Sequence, residues 1–288
     1  METPSSIISC LVGRPKYASS RVGFDKKEFF IGIEAAAISG VLNINNPISE
    51  GVVNNWDDIE KMLGFIFSSE LKVDPSEYNV LLTEINTNES QRKQGKIDSN
   101  NDENFNIQGL YIELESLLSL SSAGKDTGIS IDIGDNIITF VPIYYGCSLP
   151  HAMVRSNLGE RILTEYMKKL LENKDKNNFS IMAEKVIIRD IKEKACYIPN
   201  DNYENEIKKL ENFWYELPDG NKIELREERI KCPEILFNPG IINIEEKNIS
   251  LNCYEVIEKC DIDIKKIFII VLFYLVEVQC FKDWKKDF

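Results

Sequence analysis

The sequence predicts an α/β protein, and three observations carry that prediction. Short apolar runs with strand-like alternation recur, as where Ile129, Ile131 and Ile133 are separated by Ser130 and Asp132. Between such runs lie stretches with one apolar face at helical spacing, as through Ile162, Tyr166, Met167, Leu170 and Leu171. The two kinds are interleaved along the chain, and no short-period repeat is visible. The 288 residues suffice for one large domain or two of ordinary size.

Taken in order, Leu11 to Asn46 reads as short strands with turns. Gly13-Arg14-Pro15 breaks the chain, residues 22–27 form a loop tip, and Phe29 to Ile33 follow as strand. Asn55 caps a helix whose first turn holds Asp57 and Asp58, where carboxylates favour the helix dipole. Ile59, Met62, Leu63 and Ile66 form its apolar face, and capping accounts for the whole Asn55-Trp56-Asp57-Asp58 stretch. Val80 to Thr83 reads as a buried strand. From about 86 to 108 the chain is polar with no apolar period, a loop or disordered segment. Leu110 to Leu120 has helical spacing. Gly128 to Pro142 is two strands joined at Gly134-Asp135-Asn136. Arg161 to Asn173 and Ala183 to Tyr197 are helices, the second supported by Arg189–Glu193 and Asp190–Lys194 pairs. Tyr215 to Gly220 is a hairpin turn. The apolar run Ile267 to Val276 is about half the length of a membrane span and reads as a buried strand.

Composition narrows the function. The net charge of −13 repels phosphate backbones and anionic lipid, so neither nucleic acid nor membrane is an expected partner. Seven cysteines are dispersed without a CxxC pair and His151 is the single histidine, so no zinc site is expected. The dispersed, odd thiol count fits a reducing compartment, and Met1 to Cys10 lacks the pattern of a signal peptide.

Few residues point to chemistry by themselves. The tight turn at Gly134 offers backbone N–H groups to a phosphate, and Asp132 at the strand end suits a metal-bound water. Such a turn is equally ordinary hairpin punctuation. The face carrying Arg189, Lys192 and Glu193 reads as a solvated surface with ion pairs, and His151 as structural. No nucleophile–base pair can be assembled from spacing alone.

A series of motifs adds more. Val12-Gly-Arg-Pro15, Asn55-Trp-Asp-Asp58, Leu81-Leu-Thr-Glu84, Asp132-Ile-Gly-Asp135, Val141-Pro-Ile-Tyr144, Leu149-Pro-His-Ala152, Arg189-Asp-Ile-Lys-Glu-Lys194, Tyr215-Glu-Leu-Pro-Asp-Gly220, Cys232-Pro-Glu234 and Cys260-Asp-Ile-Asp263 occur in this order. Together they resemble actin from Glu2 to about Lys266. The resemblance implies the two-lobed actin-like ATPase fold, shared with heat-shock ATPases and sugar kinases, with ATP or ADP and Mg2+ in the cleft. It implies a small-lobe remnant at 1–121, with a filament-contact loop at about 17–27 and the irregular polar stretch at 86–108, and a large lobe at 122–266. By motif, Asp132, Gly134 and Asp135 match a phosphate loop, Asp132 holding the metal through water. Arg189, Lys192 and Glu193 match residues lining adenine and ribose. Glu115 and Thr139 stand where the family has the water-orienting glutamine and histidine, which implies slow hydrolysis. Glu160 replaces a glycine against the adenine, and Ile133 replaces a serine of the phosphate loop.

The implied partners are other actin or actin-related subunits and actin-binding proteins, in a cytoplasmic, cytoskeletal setting. The leading expectation is an actin-like cytoskeletal or scaffold subunit with a degraded ATP cleft, incomplete at both ends. The alternatives are a structural subunit binding no nucleotide, a truncated gene model, or a sugar-kinase-type phosphotransferase. Residues 267–288 do not resemble the family. Back-translated and read one base out of register, they yield a Ser-Gly-Gly-Ser-Thr-Met-Phe segment that does. A shift of frame at Lys265-Lys266 is the corresponding expectation.

Overall fold

The computed structural model describes residues 4–16, 27–49, 51–85, 105–174, 183–199, 203–217, 220–271 and 276–277. The expected loop at 17–27, save Lys27, and residues 86–104 of the polar stretch lie outside them. Two compact units are present, Met1–Leu114 and Glu115–Phe288. The division falls before the expected boundary at 121. The helix Glu115–Ser122 goes with the second unit because its Leu120 is buried there against Val141 and Ile143.

In the first unit, Phe30–Ile31, Val12–Pro15 and Leu42–Asn45 form an antiparallel sheet in that order. The strand expected over Phe29 to Ile33 stops at Ile31. Gly32 adopts φ 61°, a left-handed conformation that glycine enters without strain, and a helix begins at Ile33. The helix Trp56–Phe65 starts as expected, with Asp58 N donating to Asn55 Oδ1 at 3.1 Å. Its second acidic residue does more than face the dipole. Asp58 is wholly buried and accepts from Arg14, from Asn45 Nδ2 at 2.7 Å and from Asn55 Nδ2 at 3.0 Å. One carboxylate thereby ties two strands of the sheet to the helix. Burial works to raise the pKa of this carboxyl, but the hydrogen bonds from Arg14 and Asn45 and the Arg14 charge outweigh it and hold the group below its ordinary range.

The helix expected from Leu110 to Leu120 is half strand. Gly109–Leu114 pairs in parallel with Asn79–Glu84, with Leu82 opposite Ile112, and helix begins only at Glu115. Residues 110, 112 and 114 also fit a period of two, and the partner strand decided between the readings.

The second unit is built on the hairpin of Gly128–Ile133 and Ile138–Tyr144. Cys147–Ser148 and Val154–Ser156 pair with the second strand, and Val276–Glu277 lies parallel to the first. Helices cover this sheet. Leu163, Met167 and Leu171 of Glu160–Lys174, Ile188 and Ile191 of Ala183–Ala195, and Val256 of Ile249–Lys259 share one core with Ile131 and Phe140. Both long helices stand where their apolar spacing placed them. The hairpin expected at Tyr215 to Gly220 joins Phe213–Glu216 to Lys222–Leu225, with Gly220 at φ 85°.

The apolar run from Ile267 is not a strand up to Val271. It completes the helix Ile262–Val271, because Phe268 and Ile264, four apart, reach the core together while Ile262 and Ile269 face outward. Among the described residues, no helix is long and apolar enough to cross a membrane. No cluster of three or more His, Cys, Asp and Glu suited to a metal ion occurs among them either.

Candidate functional site

Every site residue expected from the sequence lies in the second unit. Asp132, near the end of its strand, stands directly across the hairpin from the buried Thr139. Asp132 accepts a short hydrogen bond from Ser116 Oγ in the first turn of Glu115–Ser122. Ser116 thus ties the start of the helix, whose first residue is the exposed Glu115, to the strand carrying Asp132. No sequence period marks Ser116 as a partner of a residue sixteen positions on.

One N–H of the turn is used within the hairpin itself. The Gly134 N–H donates to Ile137 O at 2.9 Å, so it closes the hairpin and is not presented to a phosphate. The carbonyls of the turn are engaged as well. Glu160 N donates to Gly134 O at 2.9 Å and Arg161 N to Asp135 O at 2.8 Å. These are amides at the start of a helix, which have no partner within the helix itself. A 3.1 Å ion pair between Arg161 and Asp135 reinforces the junction.

Close approach makes this junction possible. A Cβ on Gly159 would stand 2.3 Å from Asn136 C and 2.6 Å from Asp135 O, both backbone atoms that cannot rotate away. Gly159→Ala is therefore expected to push the turn off the helix start, at a cost of about 1–3 kcal/mol or more. Gly40→Ala, where no atom lies within 4 Å, is the control. Urea denaturation of the two variants checks this, and equal midpoints would show that the close approach does not limit stability.

Glu160 opens the helix, and its carboxylate is almost fully buried, the residue being 6% exposed. Lys192, wholly buried, donates to Glu160 Oε1 at 2.5 Å and to Thr164 Oγ1 at 3.3 Å. Arg189 Nε lies 3.2 Å from Glu160 Oε1, and Nη2 donates to Oε2 at 3.3 Å. The same guanidinium donates to Glu193 at 3.0 Å. Burial disfavours the Arg189 charge, but Glu160 and Glu193 outweigh it and raise the pKa of the group. Glu160 and Glu193 are therefore matched by Lys192 and Arg189 within one connected set, and Asp135 by Arg161 in a separate pair beside it.

The helix supplying two of these cations is held in place from its other side. Asp190 accepts from Lys194 Nζ at 2.7 Å and from the Tyr215 hydroxyl. Burial, together with Asp190, pushes the Tyr215 phenol up to about 12. Arg189, Lys192 and Glu193 are thus brought together on one helix, where Arg189 and Glu193 remain partly exposed as a charged face would and Lys192 alone points inward. Sequence reasoning singled out Glu160 only for the glycine it replaces. It missed Thr164, Arg161 and Gly159, whose roles depend on contacts across the fold.

A helix-covered sheet whose strand–turn–strand hairpin is locked beneath a helix start fits the actin-like α/β ATPase fold. A family model for actin matches residues 2–272, and the chain belongs to the actin family. Members of that family generally bind ATP or ADP with Mg2+ and associate with actin-like subunits and actin-binding proteins.

Proposed function

We propose that this chain is an actin-like cytoskeletal or scaffold subunit, cytoplasmic in setting, that acts through assembly and not through efficient ATP hydrolysis. The observation that carries this reading is the position of Glu160. A bound nucleotide needs polar groups free to turn toward its base, sugar and phosphates. Here Lys192 and Arg189, which the family resemblance assigns to adenine and ribose, are engaged by the protein's own carboxylate. Asp132, assigned to the metal-bound water, accepts from Ser116, and the Gly134 N–H closes its own turn. These residues fit a nucleotide poorly, and no catalytic step is assigned to one. Glu115 supports slow hydrolysis independently, because a carboxylate cannot donate the hydrogen bond with which an amide orients water. The same centre favours the reading of a structural subunit that works without nucleotide.

The test is calorimetry with Mg-ATP on the purified chain, alongside co-sedimentation with actin filaments. We expect no saturable binding up to about 1 mM, a binding free energy weaker than about −4.1 kcal/mol, together with co-sedimentation. Tight, Mg2+-dependent ATP binding would overturn the proposal, as would a chain that neither self-associates nor joins filaments.

A further inference from the structure

We propose that the Lys192–Arg189 pair is a receptor for a small oxyanion, and that Glu160 is its tethered, built-in ligand. The surroundings of the Glu160 carboxylate are those of a bound anion and not of a surface ion pair. An ammonium group with no solvent exposure contacts one oxygen at 2.5 Å. A guanidinium approaches both oxygens, Nε to Oε1 at 3.2 Å and Nη2 to Oε2 at 3.3 Å. Of these, only Nη2 donates to Glu160, because the single Nε–H donates to Glu193; a guanidinium N–H bonds carboxylate and phosphate oxygens alike. Thr164 Oγ1 holds the lysine from another side at 3.3 Å. A buried ammonium requires a counter-charge, so the receptor cannot stand empty at low cost.

The tether decides which anion occupies it. A carboxylate on the same chain has an effective concentration that no free anion at ordinary levels matches. The native chain is therefore closed to oxyanions at this centre, and Glu160 is the residue that excludes them. Arg189 is half exposed, so the receptor has a route to solvent once the carboxylate is removed. The helix start adds no cost to that change, because its first amides are already bonded to the turn at Gly134 and Asp135. This inference rests on the same centre as the proposed function but concerns the receptor alone, without adenine, Mg2+ or assembly.

The experiment measures thermal melting of the native chain, Glu160→Ala and the double variant Glu160→Ala/Lys192→Met. Each is scanned in pyrophosphate and, separately, malonate, at constant ionic strength, with direct binding followed by equilibrium dialysis. We expect the native melting temperature to be insensitive to either anion. For Glu160→Ala it should rise with anion concentration, and adding Lys192→Met should weaken binding at least ten-fold. A larger response to pyrophosphate identifies phosphates as the preferred class, and a larger response to malonate identifies carboxylates. If Glu160→Ala does not fold in plain buffer, refolding it in pyrophosphate should recover soluble protein. The proposal is overturned if a folded Glu160→Ala chain responds no more than the native one. It is equally overturned if the anion leaves the refolding yield unchanged, or if the native chain binds as well as the variant. Failure of the native chain to assemble would leave all these readouts intact, and native Mg-ATP binding that bypasses this centre would leave the pyrophosphate difference unchanged.

Discussion

Glu160→Ala is expected to destabilise the second unit by about 3–5 kcal/mol, the cost of leaving a buried charge without its partner. Lys192 has no solvent exposure in the native fold, and neutral water entering past Arg189 would not replace the counter-charge that the carboxylate supplies. Lys192→Ala should cost a similar amount for the converse reason, since Glu160 would keep only Arg189, which is half exposed. The informative variant is the pair Glu160→Met/Lys192→Met. Two unbranched apolar side chains of comparable length fill the same space and bring no charge that needs compensation. Replacing a buried ion pair in this way is often neutral or stabilising. We expect the double variant to recover most of the loss, which denaturant titration followed by circular dichroism will measure. If each single variant costs less than about 1 kcal/mol, the pair behaves like a surface ion pair and the burial argument fails.

Arg14→Ala should release the first unit in the same manner at a smaller cost, about 2–3 kcal/mol, since the Arg14 side chain is 40% exposed and its pair is partly screened. Asp58 would remain wholly buried, with Asn45 and Asn55 as its remaining side-chain donors among the contacts described above. The effect depends on pH with a definite sign. The folded pKa of Asp58 lies below its unfolded value near 3.8, so its contribution is complete above that value and is lost as pH falls through the folded one. The gap between Arg14→Ala and the native chain should therefore be widest near neutral pH and should narrow below about pH 4. Hydrogen exchange of the Trp56–Phe65 amides, followed by mass spectrometry at pH 7 and pH 4, reads this locally. A gap that widens on acidification would contradict the assignment of Asp58 as the stabilising carboxylate.

The sequence by itself determined the features whose causes are local. Asn55 caps its helix because acceptor and donor are three residues apart. The helices around Leu163, Met167 and Leu171 and around Ile188 and Ile191 were legible because each apolar face repeats within one turn. The i,i+4 pairs Arg189–Glu193 and Asp190–Lys194 formed as their spacing required. The family was legible because its motifs keep their order over most of the chain.

Tertiary structure decided whatever needed a distant partner. Leu110 to Leu114 fits either period, and only the parallel strand Asn79–Glu84 made it a strand. Ile267 to Val271 is apolar enough for either element, and the core seat of Phe268 made it helical. By position Asp58 is a dipole carboxylate, and only the fold brings it Arg14, 44 residues earlier. Lys192 belonged to a charged face until the fold placed it beside Glu160, 32 residues earlier, and took it out of water. Charge and periodicity are properties of a segment, whereas burial and counter-charge belong to the space between segments. That is why the helices were readable from the chain, and why the state of its most interesting cations was not.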